Sequence, residues 1–303
     1  MEYNSVNKYL KNKYGHKLYK VAIDGGFTCP NRDGKIDKRG CIFCSAKGSG
    51  DFCEDRFVSI TDQIENGKKR VEGKNKDGKF IAYFQAFTNT YAPIDQLREK
   101  YYEAVNHPDV SIISIATRPD CLSDEVVELL KEINKIKPVW VELGLQTINE
   151  LVAMYIRRGY TLDVYDEAIK KLKDAGIEII VHVILGLPYE NMEDMLNTVK
   201  YVAGYRDGEL KKEFMANGIK LQLLHVLEGT DLAKDYLDGK FQTLELDEYV
   251  RIVVECLKVI PEEMVVHRIT GDGDKKILIA PKWSGDKWTV LNKLNKAIKE
   301  AER

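Results

Sequence analysis

The sequence predicts an α/β protein built as a partial (β/α)6 TIM-type barrel of parallel strands, plus a short C-terminal α/β extension. Three observations lead there. Apolar runs rich in Val, Ile and Leu recur along the chain at a spacing of roughly 30 residues, the length of one strand-and-crossover unit. Each run is followed by a helical pattern, and continuous apolar strands are buried on both faces, as in parallel sheets. Unusual polar residues collect just past the carboxyl ends of these runs, where barrels and open α/β sheets carry their chemistry.

Taken in order, residues 3–13 read as a short amphipathic helix, and a strand over 18–24 leads into a cysteine-bearing loop. A helix over 59–71 ends in the basic, glycine-spaced stretch GKKRVEGKNKDGK. Strand 80–87, helix 94–106, strand 110–116 and helix 124–136 follow, the last with Ser123 as N-cap. Strand 139–145 runs to a helix near 149–156, and helix 162–175 has Thr161 before it and Gly176 just past it. Strand 178–185, a helix over 191–204 and strand 219–227 complete six units. The tail breaks the rhythm. It reads as helix 246–259, a hairpin-like pair over 264–281 and a final helix over 290–301. The expected organisation is therefore an N-terminal helix over 1–17, the barrel over 18–230 and a capping extension over 231–303.

Composition narrows the class. With 303 residues, 44% hydrophobic and 31% charged, the chain has the makeup of a globular enzyme, and a net charge of −2 announces no nucleic-acid partner by itself. No apolar stretch reaches the ~18 residues a membrane span needs, and the first residues lack the apolar core of a signal peptide. Six cysteines, three of them clustered, suit a reducing cytoplasm rather than a disulfide framework. Nicotinamide and nucleoside-triphosphate chemistry have no anchor, because G-x-G-x-x-G after a strand and the Walker A loop are both missing.

The loop over 25–51 holds Cys29, Cys41 and Cys44 at C-x11-C-x2-C spacing. Two thiolates two residues apart address one soft metal centre, and a third can close on it from across the loop. Three readings stand for them: thiols without metal, a structural zinc with Cys53 as fourth ligand, or an iron–sulfur cluster on three thiolates with one iron open. Around them, QAFTNT, ATRPD, LGLQT, LGLP and LLHVLEGT end successive strands. That convergence on one end of the barrel points to an enzyme with a single site.

Three cysteines after the first strand, with Phe43 directly before the last, resemble the cluster loop of the radical S-adenosylmethionine (SAM) superfamily. The longer first gap beginning Cys-Pro resembles the branch around the catalytic subunit of Elongator. Within it, GFTCPNRDG, GC-x-FC, HR-x-TGD and AP-x-W resemble the YtqA/YhcC-type proteins. The superfamily resemblance covers 18–230, and the narrower one runs the whole length.

The resemblance implies that Cys29, Cys41 and Cys44 hold a 4Fe–4S cluster whose open iron takes SAM, with Cys53 excluded as a ligand. It implies that Phe43 packs near the adenine, and that Gln85, Ala86, Phe87 and Thr88 stand where the family's glycine-rich SAM-amine motif lies. Glu142 and Gln146 belong to the strand-end motif near the ribose, and Arg158 resembles the arginine that pairs with the methionine carboxylate. His182 occupies a position near the ribose, with an inward-facing core histidine as the plainer reading. Gly186 and Leu187 match a turn near the adenine.

Toward substrate, His225, His267 and Arg268 are the expected catalytic residues, with Thr270 and Asp272 completing a polar tail cluster. Cys121 reads as a hydrogen donor or, more simply, a buried thiol. The resemblance implies tRNA as substrate, through conversion of the 5-carboxymethylaminomethyl side chain of a wobble uridine to 5-aminomethyl. It also implies an electron donor such as flavodoxin or ferredoxin, and no membrane. RNA contact is expected at the basic stretch over 67–79 and at Trp283 and Trp288, which lie among lysines. A radical SAM enzyme for a small molecule or peptide, and a non-catalytic zinc module, are the alternatives.

Overall fold

A computed structural model describes residues 1–48, 53–71, 78–271 and 273–301. Its centre is a sheet of seven strands: β1 (Tyr19–Ile23), β2 (Phe80–Phe84), β3 (Val110–Thr117), β4 (Val139–Gln146) and β5 (Glu178–Leu185), with two more from further along the chain. A small antiparallel ribbon, β6 (Tyr205–Arg206) and β7 (Glu209–Leu210), precedes β8 (Gly218–Leu223), and β9 (Val226–Leu227) follows it directly. The last two strands are β10 (Val265–Arg268) and β11 (Leu278–Ala280). Spatial order in the main sheet is β1-β2-β3-β4-β5-β8-β10, and every neighbouring pair is parallel. The sheet curls into a half-barrel.

The six expected strands are present, and a seventh joins them from the tail. The stretch over 264–281 is not a hairpin. Val265–Arg268 pairs parallel with β8, while β11 turns away to pair antiparallel with β9. Burial explains this choice: Val265 and Val266 are buried in the core, which a solvated hairpin would not provide.

Helices cover the outer face: α2 (Ile60–Lys69), α3 (Ile94–Asn106), α4 (Asp124–Asn134), α6 (Leu162–Asp174), α7 (Met192–Val202), α9 (Leu246–Val259) and α10 (Lys287–Glu300). α1 (Val6–Tyr14), α5 (Glu150–Tyr155) and α8 (Asp231–Leu237) lie elsewhere, and α8 had no counterpart in the sequence reading. The Ser123 hydroxyl accepts from Val126 N–H as expected for an N-cap, whereas Thr161 caps α6 without a side-chain hydrogen bond. Gly176 sits past α6 at φ +69°, a left-handed position that suits glycine.

Alternation along each strand divides the two faces. Val141, Leu143 and Leu145 of β4, with Val181 and Val183 of β5, face the helices and form the main core. Their neighbours face the lumen in layers. At the amino end, Ile81, Ile112, Trp140 and Ile180 make an apolar floor with Leu18. α1 closes that floor from outside through Leu10, Val6, Tyr9 and Tyr14, and Tyr9 hydrogen-bonds Glu178 at 3.1 Å. Among the described residues no helix is long and apolar enough to cross a membrane.

Candidate functional site

One layer above the apolar floor, each strand of the half-barrel contributes a polar side chain: Lys20, Tyr83, Ser114, Glu142, His182, Lys220 and Arg268. Register places His182 and Arg268 on either side of Lys220. A bulge between Val266 and Arg268 turns His267 inward too, where its ring meets Trp140 edge-on at 5.0 Å. Glu142 is the hub. One carboxylate oxygen accepts from Lys20 Nζ at 2.7 Å and Ser114 Oγ at 2.7 Å. The other accepts from His182 Nε2 at 2.7 Å and from Lys220 Nζ. Burial works against its charge, but the two lysines prevail and hold the Glu142 carboxyl well below its ordinary value.

His182 accepts from Gln222 Nε2 at Nδ1, 2.9 Å away, so Nε2 carries the proton donated to Glu142. Burial and then Lys220 lower its pKa to about 4, and the ring is neutral near pH 7. Burial likewise draws Lys220 down from its ordinary value, with Glu142 opposing it.

Above this row opens a cavity of about 830 Å³, and the cysteine loop forms its upper wall. The loop is held by its own backbone and two arginines. Arg32 and Asp33 N–H groups donate to the Cys29 carbonyl at 2.8 and 3.1 Å, and Cys44 N–H donates to Cys41 O at 3.0 Å. The Arg32 guanidinium donates to the carbonyls of Cys44 (3.0 Å) and Ser45 (2.6 Å). Asn31 Nδ2 bridges the Arg157 carbonyl (2.7 Å) and Cys41 Sγ (3.5 Å), which staples the loop to the segment after α5. Burial, followed by neighbouring Cys44, pushes the Cys41 thiol up to about 12, against the pull of Arg118. A coordinated metal reverses this, because a ligating thiol is deprotonated outright.

Cys29, Cys41 and Cys44 all line the cavity. Among the described residues, the only trio of His, Cys, Asp or Glu donors mutually within 4.8 Å is Glu65, His107 and Asp109. The cysteine sulfurs are therefore not gathered as on a single zinc, where bonds of ~2.3 Å would bring them within about 4 Å of one another. A cluster spreads its thiolates over separate irons and does not require that closeness. Cys53 Sγ accepts from Gln85 Nε2 at 3.4 Å.

Of the residues expected around SAM, Phe43, Gln85, Phe87, Thr88, Gln146, Glu142, His182 and Arg158 line the cavity. Phe87 and Gln146 adopt φ of +60° and +67°, strained values for side-chain-bearing residues that mark the two strand ends as shaped for a task. Phe87 thus takes up the backbone conformation that a glycine-rich motif would supply. Three expected residues stand off the cavity wall. Ala86 is buried off the cavity wall. Gly186 donates to Met195 Sδ at 3.1 Å, and Leu187 packs in a side core with Ile42 and Leu232, so this turn supports the wall from behind.

Two further expectations meet prior commitments. The Glu142 carboxylate is saturated by its four donors. Arg158 donates to the carbonyls of Tyr160 (3.0 Å) and Thr147 (2.7 Å) and to Glu150 Oε1 (2.6 Å), so its fork already braces the turn after β4.

Of the residues expected near substrate, His225 and Arg268 line the cavity and His267 does not; its imidazole lies in the floor, and burial holds its pKa well down. Gly271 packs so closely on His225 that an added Cβ would lie 2.3 Å from the ring. Asp272 lies outside the described residues. Cys121 is off the wall, its thiol raised to about 12 by burial. Trp283 donates to Leu244 O at 3.0 Å and packs at a tilt against Tyr249, which makes it a packing residue, while Trp288 is 78% exposed. Residues 72–77 of the basic stretch lie outside the description. Its described ends bind Asp109 through Lys68 and Lys79, at the amino end of the strands and away from the cavity.

The sequence reading missed Lys20, Lys220 and Arg118. Arg118 makes a two-pronged pair with Asp120 at 2.9 and 2.8 Å on the cavity wall. Each carried a signal: a charge inside or at the end of an apolar strand.

Comparison with known proteins follows the same lines. The model described as Radical SAM superfamily matches residues 36–202, and that of the Radical_SAM C-terminal domain matches 216–300. An uncharacterized protein of Bacillus subtilis, YtqA, is 48% identical over 98% of this chain and 89% of its own. A Methanocaldococcus jannaschii protein named tRNA uridine(34) acetyltransferase is 27% identical over 60% of this chain but 32% of its own length. The solved structure of Methanocaldococcus infernus Elp3 superposes with TM-score 0.67 at 18% identity, over 92% of this chain and 63% of that one.

Proposed function

The chain belongs to the radical SAM superfamily, whose members use a 4Fe–4S cluster and SAM, and from that premise we propose that it modifies the wobble uridine of tRNA. Cys29, Cys41 and Cys44 are the ligands in this reading, and their arrangement at the mouth of an open cavity is the observation that carries it. With the cluster and SAM bound, the site supplies reductive cleavage of SAM and hydrogen abstraction from the substrate.

The chain's own residues do the rest. Gln85, Phe87, Thr88 and Gln146 line the place for SAM, with Phe43 beside it. Arg32 and Arg118 hold the loop and the adjoining wall, and the apolar floor excludes water from below. His225 and Arg268 stand toward the substrate, which enters past Lys275, Lys276 and Lys287 on the rim. The name of the archaeal relative, which specifies uridine 34 of tRNA, supports a wobble-base substrate. The change proposed is from a 5-carboxymethylaminomethyl to a 5-aminomethyl side chain. The carbon beside the carboxylate loses the abstracted hydrogen and one further electron to an oxidised acceptor such as the electron carrier. Water then hydrolyses the resulting imine to the amine and a two-carbon oxoacid. An electron donor such as flavodoxin or ferredoxin, in the cytoplasm, completes the reading.

The test uses anaerobic, iron-reconstituted protein with SAM, dithionite and tRNA bearing the carboxymethylaminomethyl group. Expected products are 5′-deoxyadenosine and aminomethyluridine in the digested tRNA. Absence of 5′-deoxyadenosine from cluster-loaded protein would sink the radical chemistry. Its formation with unchanged tRNA would move the substrate to a small molecule or peptide.

A further inference from the structure

The polar row contains more positive charge than its carboxylate can balance. Lys20 and Lys220 both bond Glu142, and His182 is neutral. Lys220 lies at the cavity wall, 4% exposed, with Arg268 in register beside it and on the same wall. Among the described residues, Asp274 is the only other carboxylate lining the cavity, on a tail loop that also brings Lys275 and Lys276. Two lysines on the one Glu142 carboxylate leave a positive charge that a bound anion would neutralise. SAM does not, since its sulfonium and ammonium outnumber its carboxylate.

Lys220 has the donors for such a ligand. An ammonium offers three N–H groups. One goes to Glu142, another faces the Tyr83 hydroxyl at 3.4 Å, and the cavity lies beyond. We infer that Lys220 binds a carboxylate of the substrate, with Glu142 and Lys20 as residues that position its ammonium. A bound carboxylate also favours the charged form of the amine. The inference rests on the proposed substrate in one respect: the carboxymethylaminomethyl arm ends in a carboxylate, and the aminomethyl product has none. The carbon–nitrogen bond broken on conversion leaves the carboxylate on a two-carbon acid, so the RNA product keeps no contact with Lys220 and leaves.

The test measures binding of two RNA stem-loops, carrying carboxymethylaminomethyl- or aminomethyluridine, to the cluster-loaded protein. The carboxylate form is expected to bind about 10–100-fold tighter, the range of one charge-assisted contact. Lys220→Met should bring the two within about 3-fold by weakening only the carboxylate form, and Lys220→Arg should restore most of the preference. Unchanged affinity for the aminomethyl stem-loop shows that the variant is folded. A preference that survives Lys220→Met overturns the inference while leaving the RNA reading intact. If neither stem-loop binds, the RNA reading fails, and N-methylglycine against N-methylglycinamide decides by NMR. Lys220-dependent binding of the acid over the amide then supports the carboxylate site, and equal binding overturns it.

Discussion

Phe87 donates its backbone N–H to the Gly48 carbonyl at 2.9 Å, and its ring lies 2.4 Å from where a Cβ on Gly48 would stand. The end of β2 and the cysteine loop are thereby locked together at a glycine with φ of +56°. Gly48→Ala adds both a clash and left-handed strain, at a cost of about 1–3 kcal/mol. Since the loop must yield before the sheet does, the expected result is lower iron content per chain after reconstitution. Unchanged iron loading would show that the loop does not depend on this contact.

The thiols divide into ligands and bystanders. Cys41→Ala should abolish bound iron and labile sulfide, because a cluster on two thiolates is not retained. Cys53→Ala should keep both, since its sulfur pairs with Gln85 Nε2. Equal loss in the two variants would reopen a four-cysteine site.

Glu190 sets a pH dependence. Burial lifts its carboxyl from 4.5 to about 7, with the Thr147 hydroxyl working against the shift and Asp194 adding to it. Between those values the folded chain holds a proton that the unfolded chain has released. Stability therefore falls as pH rises from about 4.5 to about 7, by about 2–3 kcal/mol, and levels off above. Denaturant midpoints across that range should show the decline in the parent and a flatter profile in Glu190→Gln.

The two tail tryptophans should separate structure from contact. Trp283→Ala removes a hydrogen-bonded ring packed at a tilt on Tyr249 and is expected to cost about 2–3 kcal/mol. Trp288→Ala, at an exposed ring, should change stability by less than about 0.5 kcal/mol. It should weaken binding of the stem-loop roughly 10-fold through lost base stacking. Loss of stability in both variants would place Trp288 in the packing as well.

The strand run and the cysteine loop were legible because each is a local pattern: apolar runs of strand length, and thiols at short spacing. Val265–Arg268 was not. A Gly-Asp-Gly turn between two short apolar runs reads as a hairpin, and only the vacant edge of β8 makes the parallel pairing better. The polar row was also hidden. Lys20, Glu142 and Lys220 lie far apart in sequence, and each looks like a stray charge until the curled sheet brings both lysines onto the Glu142 carboxylate. Arg158 shows the converse: its position matches a motif, and the turn it belongs to takes three of its five donors.

The apolar floor under Trp140, sealed by α1, makes the half-barrel a blind-ended chamber. Among the described residues, the cysteine-lined mouth is the open end opposite that floor. Under the proposed reading, a tRNA seated over the mouth would cover SAM beneath it, so SAM is expected to enter first, and excess RNA added before SAM should inhibit.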